Sequence, residues 1–141
     1  MSLFNVFKPR CPLVMLVDDN LMLLEMYEVF LEALNCKSIK VFDGKEALET
    51  AEKHKPQLIL LDIMMPGITG LQILEMLKLK PATKNIPVLM ITGEHSIADI
   101  ETAFKLGAAD YMVKPTDRAR FEQKIKPLLA SIGYPFPDAK R

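Results

Sequence analysis

The sequence predicts a doubly wound α/β domain built on a five-stranded parallel sheet, and three observations predict it. Strand-length apolar runs rich in Val, Ile and Leu recur five times along the chain. Stretches with helical periodicity separate them, and strands alternating with helices build βαβ units and hence a parallel sheet. The runs are nearly continuous in apolar residues, as strands covered on both faces require.

The first run, Leu13 to Val17, ends in the pair Asp18-Asp19 and gives way to helical spacing from Leu21 to Leu34. Within that helix Leu23, Tyr27, Phe30 and Leu34 share a face and are expected in the core, with Glu25, Glu28 and Glu32 on the wet side. Met22, Met26 and Val29 fall on a flank between them. That flank either packs on the last helix or forms a docking patch, for which the adaptable Met side chain is suited. The second run, Ile39 to Phe42, is turned by Asp43-Gly44 into a helix from Lys45 to His54 that Pro56 closes. The third, Leu58 to Leu61, leads into Asp62; Pro66-Gly67 and Gly70 mark a loop before a helix from Gln72 to Leu79. The fourth, Val88 to Ile91, precedes Thr92-Gly93 and a helix from Ile97 to Leu106, with Gly107 its expected C-cap. The fifth, Tyr111 to Val113, runs into Lys114-Pro115 and a last helix from Phe121 to Ile132. Pro127 lies inside that pattern and removes a backbone hydrogen bond. Phe121, Ile125, Leu128, Leu129 and Ile132 nevertheless keep helical spacing across it, so one kinked helix is expected rather than two elements. Residues 1–11 read as an N-terminal extension, 12–132 as the domain, and 133–141 as a tail or the start of a linker.

At 141 residues, half of them hydrophobic, the chain has the length of one ordinary domain and can bury a sizeable core. Its 18 basic residues balance 18 acidic ones, so no basic excess points to direct nucleic-acid binding. Cys11 and Cys36 stand outside any CxxC or Cys/His cluster, which argues for reduced, structural thiols rather than a disulfide framework or zinc. The apolar runs are too short for a membrane span, and a cytoplasmic location is expected. His54 and His95 read as surface residues.

In a doubly wound sheet, ligands gather at the carboxyl ends of the strands. Four of the five strands deliver a polar group there: Asp18-Asp19, Asp62, Thr92 and Lys114. Converging carboxylates repel one another and raise each other's pKa, and a hard cation relieves that. Oxygen ligands in small number favour Mg²⁺ with several retained waters, and Mn²⁺ also fits. One carboxylate is then free to act as a nucleophile toward phosphorus. Lys114 supplies a point charge, Thr92 a hydroxyl, and backbone N–H groups after Asp62 and Thr92 can complete a cage around the phosphoryl oxygens.

The Asp18-Asp19 pair, the segment Leu61-Asp62-Ile63-Met64-Met65-Pro66-Gly67, Thr92-Gly93 and the run from Gly107 to Pro115 together resemble the response-regulator receiver family, over about residues 12 to 130. The resemblance implies a flavodoxin-like fold with strand order 2-1-3-4-5. It implies that Asp62 is the phosphoacceptor, that Asp19 and Asp62 bind Mg²⁺ directly with the Met64 carbonyl, and that Asp18 holds the metal through water. It gives Lys114 and Thr92 to the phosphoryl group, a cis peptide to Lys114-Pro115, and an aromatic switch role to Tyr111, which moves inward when Thr92 is drawn to the phosphate. Read from its residue type alone, Tyr111 is a plain core tyrosine with its ring buried and its hydroxyl wet. Gly93 stands where the family more often has Ala, and Met64 and Glu94 occupy positions expected to tune the phosphoryl lifetime.

The same resemblance implies a histidine kinase or histidine phosphotransfer protein as donor. It implies a domain that catalyses only its own phosphorylation and dephosphorylation, acting on an unknown downstream protein or on an output domain lying outside this chain. Two rivals are an Mg²⁺-dependent aspartyl-phosphate phosphatase and a receiver-shaped scaffold that is never phosphorylated. The first wants a second Asp two residues after the nucleophile, where Met64 stands; the complete Asp, Thr and Lys set argues against the second.

Overall fold

The computed structural model describes residues 11–93 and 97–136. Residues 1–10 of the expected extension, Glu94, His95 and the tail beyond 136 lie outside the described residues.

Five parallel strands, β1 (Leu13–Val17), β2 (Lys37–Val41), β3 (Leu58–Asp62), β4 (Val88–Thr92) and β5 (Asp110–Val113), form one sheet in the order β2-β1-β3-β4-β5. Five helices alternate with them: α1 (Leu21–Ala33), α2 (Gly44–His54), α3 (Gly70–Leu79), α4 (Ile97–Lys105) and α5 (Arg118–Ser131). This is the flavodoxin-like order that the resemblance implies.

Side chains alternate across a strand, so each continuous apolar run feeds two cores. Val14 and Leu16, Leu58 and Leu60, Leu89 and Ile91 pack with Leu24, Tyr27 and Leu31 of α1 and Phe121, Ile125 and Leu129 of α5. Met15 and Val17, Ile59 and Leu61, Val88 and Met90 pack on the other face with Ala47, Ala51, Ile73, Leu74, Leu77 and Ala103 of α2, α3 and α4. β1, β3 and β4 are therefore buried on both sides. β2 and β5 are the edges and are only partly covered.

Several expectations need correction. The stripe of α1 that is fully buried is Leu24, Tyr27 and Leu31; Leu23, Phe30 and Leu34 are half-buried beside it. The helix is apolar nearly all round, so periodicity could not fix which way it turns. Glu28 is only half wet, because Lys40 on the neighbouring edge strand reaches it at 3.0 Å. Phe42 falls beyond β2 and is exposed. Gly44 and Gly70 are first residues of helices rather than turn or loop residues, capped by Asp43 and Thr69. Thr69 and Gln72 form a reciprocal capping box.

Pro127 sits inside one continuous α5. Both Pro127 and Gln123, the residue whose carbonyl it leaves unpaired, are exposed, so water can serve that carbonyl. Gly107 ends α4 with φ at +104°, its N–H donating to Phe104 at 3.1 Å and that of Ala108 to Ala103 at 2.9 Å. Those two bonds make a Schellman cap that a residue in the left-handed region permits. Both cysteines are free, and burial, with Cys11 nearby, pushes the Cys36 thiol up to about 11. Among the described residues no helix is long and apolar enough to cross a membrane.

Candidate functional site

The carboxyl ends of β1, β3 and β4 and the residue after β5 meet at one edge of the sheet. β1 places Asp18 and Asp19 there, β3 ends in Asp62 and β4 in Thr92, and Lys114 follows β5. The pairing brings Asp62 beside Ile91 and Thr92 beside Val113. Asp18, Asp62 and Thr92 are buried, while Asp19 is exposed. One oxygen from each of Asp18, Asp19 and Asp62 lies within 4.8 Å of the others.

Local structure explains the placement. α1 is capped by Asn20, whose side chain accepts the Leu23 N–H at 3.2 Å. Neither aspartate is used as that cap; Asp18 Oδ1 instead accepts the Asn20 N–H at 2.9 Å, which fixes its carboxylate over the end of β1. Behind Asp62 the chain loops through Pro66-Gly67 and returns, with the Gly70 N–H donating to the Ile63 carbonyl at 2.9 Å. A β-carbon at Gly70 would overlap the Asp62 carbonyl, so α3 starts hard against the backbone of the acid. The Lys114-Pro115 peptide is cis, as the resemblance implies.

Lys114 bridges the two buried acids, its Nζ 2.9 Å from Asp18 Oδ2 and 3.3 Å from Asp62 Oδ1. Burial works against the lysine charge, but the hydrogen bond to Asp18 and the charges of both acids outweigh it and hold its pKa above the ordinary value. Asp62 is pushed the other way for a carboxyl, up to about 6, first by burial and then by the Asp18 charge. Lys114 and the Met64 N–H, 3.4 Å from Oδ1, offset only part of that. Without a further cation the site holds more negative charge than Lys114 balances, and it offers only oxygen donors. That donor set suits a hard divalent ion. An acid of raised pKa beside a lysine at the strand ends is also a common sign of function.

Tyr111 and Met90 are register partners, as are Val113 and Thr92. Tyr111 and Thr92 therefore point to the same face of the sheet, one step apart along adjacent strands. Tyr111 is half-buried at the sheet edge and packs on the α2, α3 and α4 side. Met64 is exposed, and so are Met22 and Val29 of α1; Met26 is half-buried against the core. Packing on α5 therefore does not account for Met22 or Val29.

One neighbour of the site was read from sequence only as core. Tyr27 is fully buried, stacked on Phe121 with centroids 5.5 Å apart, and its hydroxyl has no protein partner among the described residues. Burial first, then the charges of Asp18 and Asp62, keep its proton on. Its ring obeyed the apolar pattern, so only the hydroxyl was unforeseen.

Comparison with known proteins agrees with this geometry. The family profile described as response regulator receiver domain matches residues 14–126. The polar-differentiation response regulator DivK of Brucella anthropi is 34% identical over 116 residues, covering 82% of this chain and 94% of that protein. The crystal structure of the Vibrio cholerae chemotaxis protein CheY4 superposes with a TM-score of 0.80 at 27% identity, covering 84% of this chain and 99% of the other. A Francisella response regulator receiver domain gives 0.78 at 26%, covering 86% and 98%.

Proposed function

This chain belongs to the response regulator receiver family, and from that premise we propose that it is a phosphorylation switch in which Asp62 accepts a phosphoryl group from a phosphohistidine. The observation that carries the reading is the closure of three carboxylates around one point, with Lys114 tying Asp18 to Asp62.

Asp18, Asp19 and Asp62, with the Met64 carbonyl, would hold Mg²⁺, or Mn²⁺ in its place. Such an ion supplies charge neutralisation between the acids and the incoming phosphoryl oxygens. The chain's own residues do the rest. An Asp62 oxygen attacks phosphorus in line, the bond from phosphorus to the donor nitrogen breaks, and the donor imidazole, protonated on its second nitrogen, leaves as the neutral ring. Lys114 stays charged through the reaction because both its partners favour the ammonium. As the Asp62 carboxylate becomes an acyl phosphate, Lys114 can transfer its contact to the new phosphoryl oxygens, and the Thr92 hydroxyl can donate a further bond. Tyr111 then follows Thr92 inward, coupling the site to the surface formed by α4, β5 and α5. A histidine kinase or histidine phosphotransfer protein is the donor, and a downstream protein or output domain reads the result. The domain turns over no external substrate.

The test is labelling with a small donor. Given Mg²⁺ and phosphoramidate or acetyl phosphate, the protein is expected to gain one acid-stable, base-labile phosphoryl group by intact mass. Asp62→Asn is expected to abolish it, and Asp19→Asn to raise the Mg²⁺ concentration required. Equal labelling of the Asp62→Asn protein would sink the assignment.

A further inference from the structure

Three side chains hold Tyr111. Phe104 of α4 meets its ring edge-on, with centroids 6.1 Å apart and planes at 86°. Lys124 of α5 places its Nζ 5.1 Å from the ring centroid. α5 packs on the opposite face of the sheet from Tyr111, so this ammonium reaches the ring around the open edge of β5. It is anchored there by Asp110, whose two carboxylate oxygens lie 3.1 and 3.2 Å away. Asp110 Oδ1 also accepts the Tyr111 N–H at 2.8 Å. One carboxylate thus fixes both the backbone of Tyr111 and the cation over its ring. Beside them a groove of about 280 Å³ opens, lined by Tyr111, Thr116, Arg120 and Lys124 among others, so the ring stands at a rim and not in a closed core.

We propose that Lys124, anchored on Asp110, is a positioning residue that latches Tyr111 at the rim and thereby sets how readily the Asp62 site takes its phosphoryl group. The inference rests on the reading of Tyr111 as the group that follows Thr92. A cation is drawn to the face of an aromatic ring by the ring's quadrupole, and this one is pre-placed by its ion pair, so little freedom is lost in holding it there. Movement of Tyr111 toward Thr92 takes the ring away from Lys124 and Phe104 together. The rim state carries contacts that the inward state lacks, and a ligand at Asp62 has to work against them. When the binding-competent state is only fractionally populated, apparent affinity falls by that fraction. Deleting the cation therefore strengthens ligand binding, whereas deleting an ion pair of purely structural value weakens it or leaves it alone.

The experiment is a beryllofluoride titration of the full chain in saturating Mg²⁺, read from the Thr92 and Tyr111 amide resonances. Lys124→Gln is expected to bind about fivefold more tightly than the wild type, the order set by one partly exposed cation–π pair. Lys124→Arg keeps a cation over the ring and is expected to restore the wild-type value. Asp110→Asn frees the ammonium from its anchor and shifts affinity in the same direction, which keeps the test open if Lys124→Gln does not fold. Unchanged or weaker binding in the folded variants overturns the latch alone. Failure of the wild-type protein to take beryllofluoride overturns the reading of Asp62 and the latch with it.

Discussion

At the scale of single residues, Asp62 is at odds with its surroundings. Its carboxyl is raised from an ordinary value of 3.8 to about 6 by burial and by Asp18. A carboxyl whose folded pKa exceeds its unfolded one favours folding fully only below the unfolded value, and loses that contribution as pH rises through the folded one. The window here runs from about pH 4 to about pH 6. In the presence of chelator, Asp62→Asn is therefore expected to be more stable than the wild type at pH 7 to 8, by roughly 2 kcal/mol. The gain should fade as pH falls toward 4. Thermal melts of both proteins across that range check it, and an equal melting difference at every pH would refute the assignment of strain to this carboxyl. Asp18, Asp19, Asp62, Thr92 and Lys114 were legible in the sequence because each is a polar residue ending an apolar run. Which of the paired acids is buried was not legible, since Asp18 and Asp19 are chemically identical and only the Asn20 N–H and Lys114 single out Asp18. The Lys124 and Asp110 contacts were not legible either, because they join a helix to a strand edge 14 positions away.

At the scale of elements, the junction of β3 with α3 is the least forgiving part of the fold. At Gly70 any β-carbon meets the backbone of Asp62 and Ile63, which cannot yield as the tip of a flexible side chain would. Gly70→Ala is expected to cost about 2–3 kcal/mol, the upper part of the usual range for overpacking, and to lower phosphoryl labelling along with stability. Gly93 is the contrast: among the described residues a β-carbon there meets nothing within 4 Å. Gly93→Ala should leave the melting temperature nearly unchanged, so the departure from the family's usual Ala is not imposed by space. Denaturation of the two variants side by side separates these outcomes. The strands and helices were legible to within a few residues because short unbroken apolar runs alternate with longer stretches of helical spacing. The start of α3 was missed by two residues because Gly70 was taken as a loop signal, although Thr69 and Gln72 carry a capping-box spacing that marks the helix start. The orientation of α1 was missed because Leu, Met, Tyr, Val and Phe cover most of its circumference.

At the scale of the whole molecule, α1 exposes apolar groups that the cores do not need. Met22 is 82% exposed and lies one turn from the acids. Met22→Ala is expected to slow transfer from the cognate phosphohistidine protein severalfold while leaving labelling by acetyl phosphate and the melting temperature unchanged. Parallel kinetics with the two donors check this, and equal slowing of both would mean that Met22 serves the chemistry and not the donor. The two-sided sheet has a further consequence. β1, β3 and β4 are clamped between two cores, and they carry Asp18, Asp62 and Thr92. β5 pairs with β4 alone, and it carries Tyr111 and leads into Lys114. The molecule is built like a vice with one jaw bolted down and the other on a sprung arm: a phosphoryl group on Asp62 would be gripped against a fixed anvil, and whatever force it exerted would be delivered to the edge strand that borders the site.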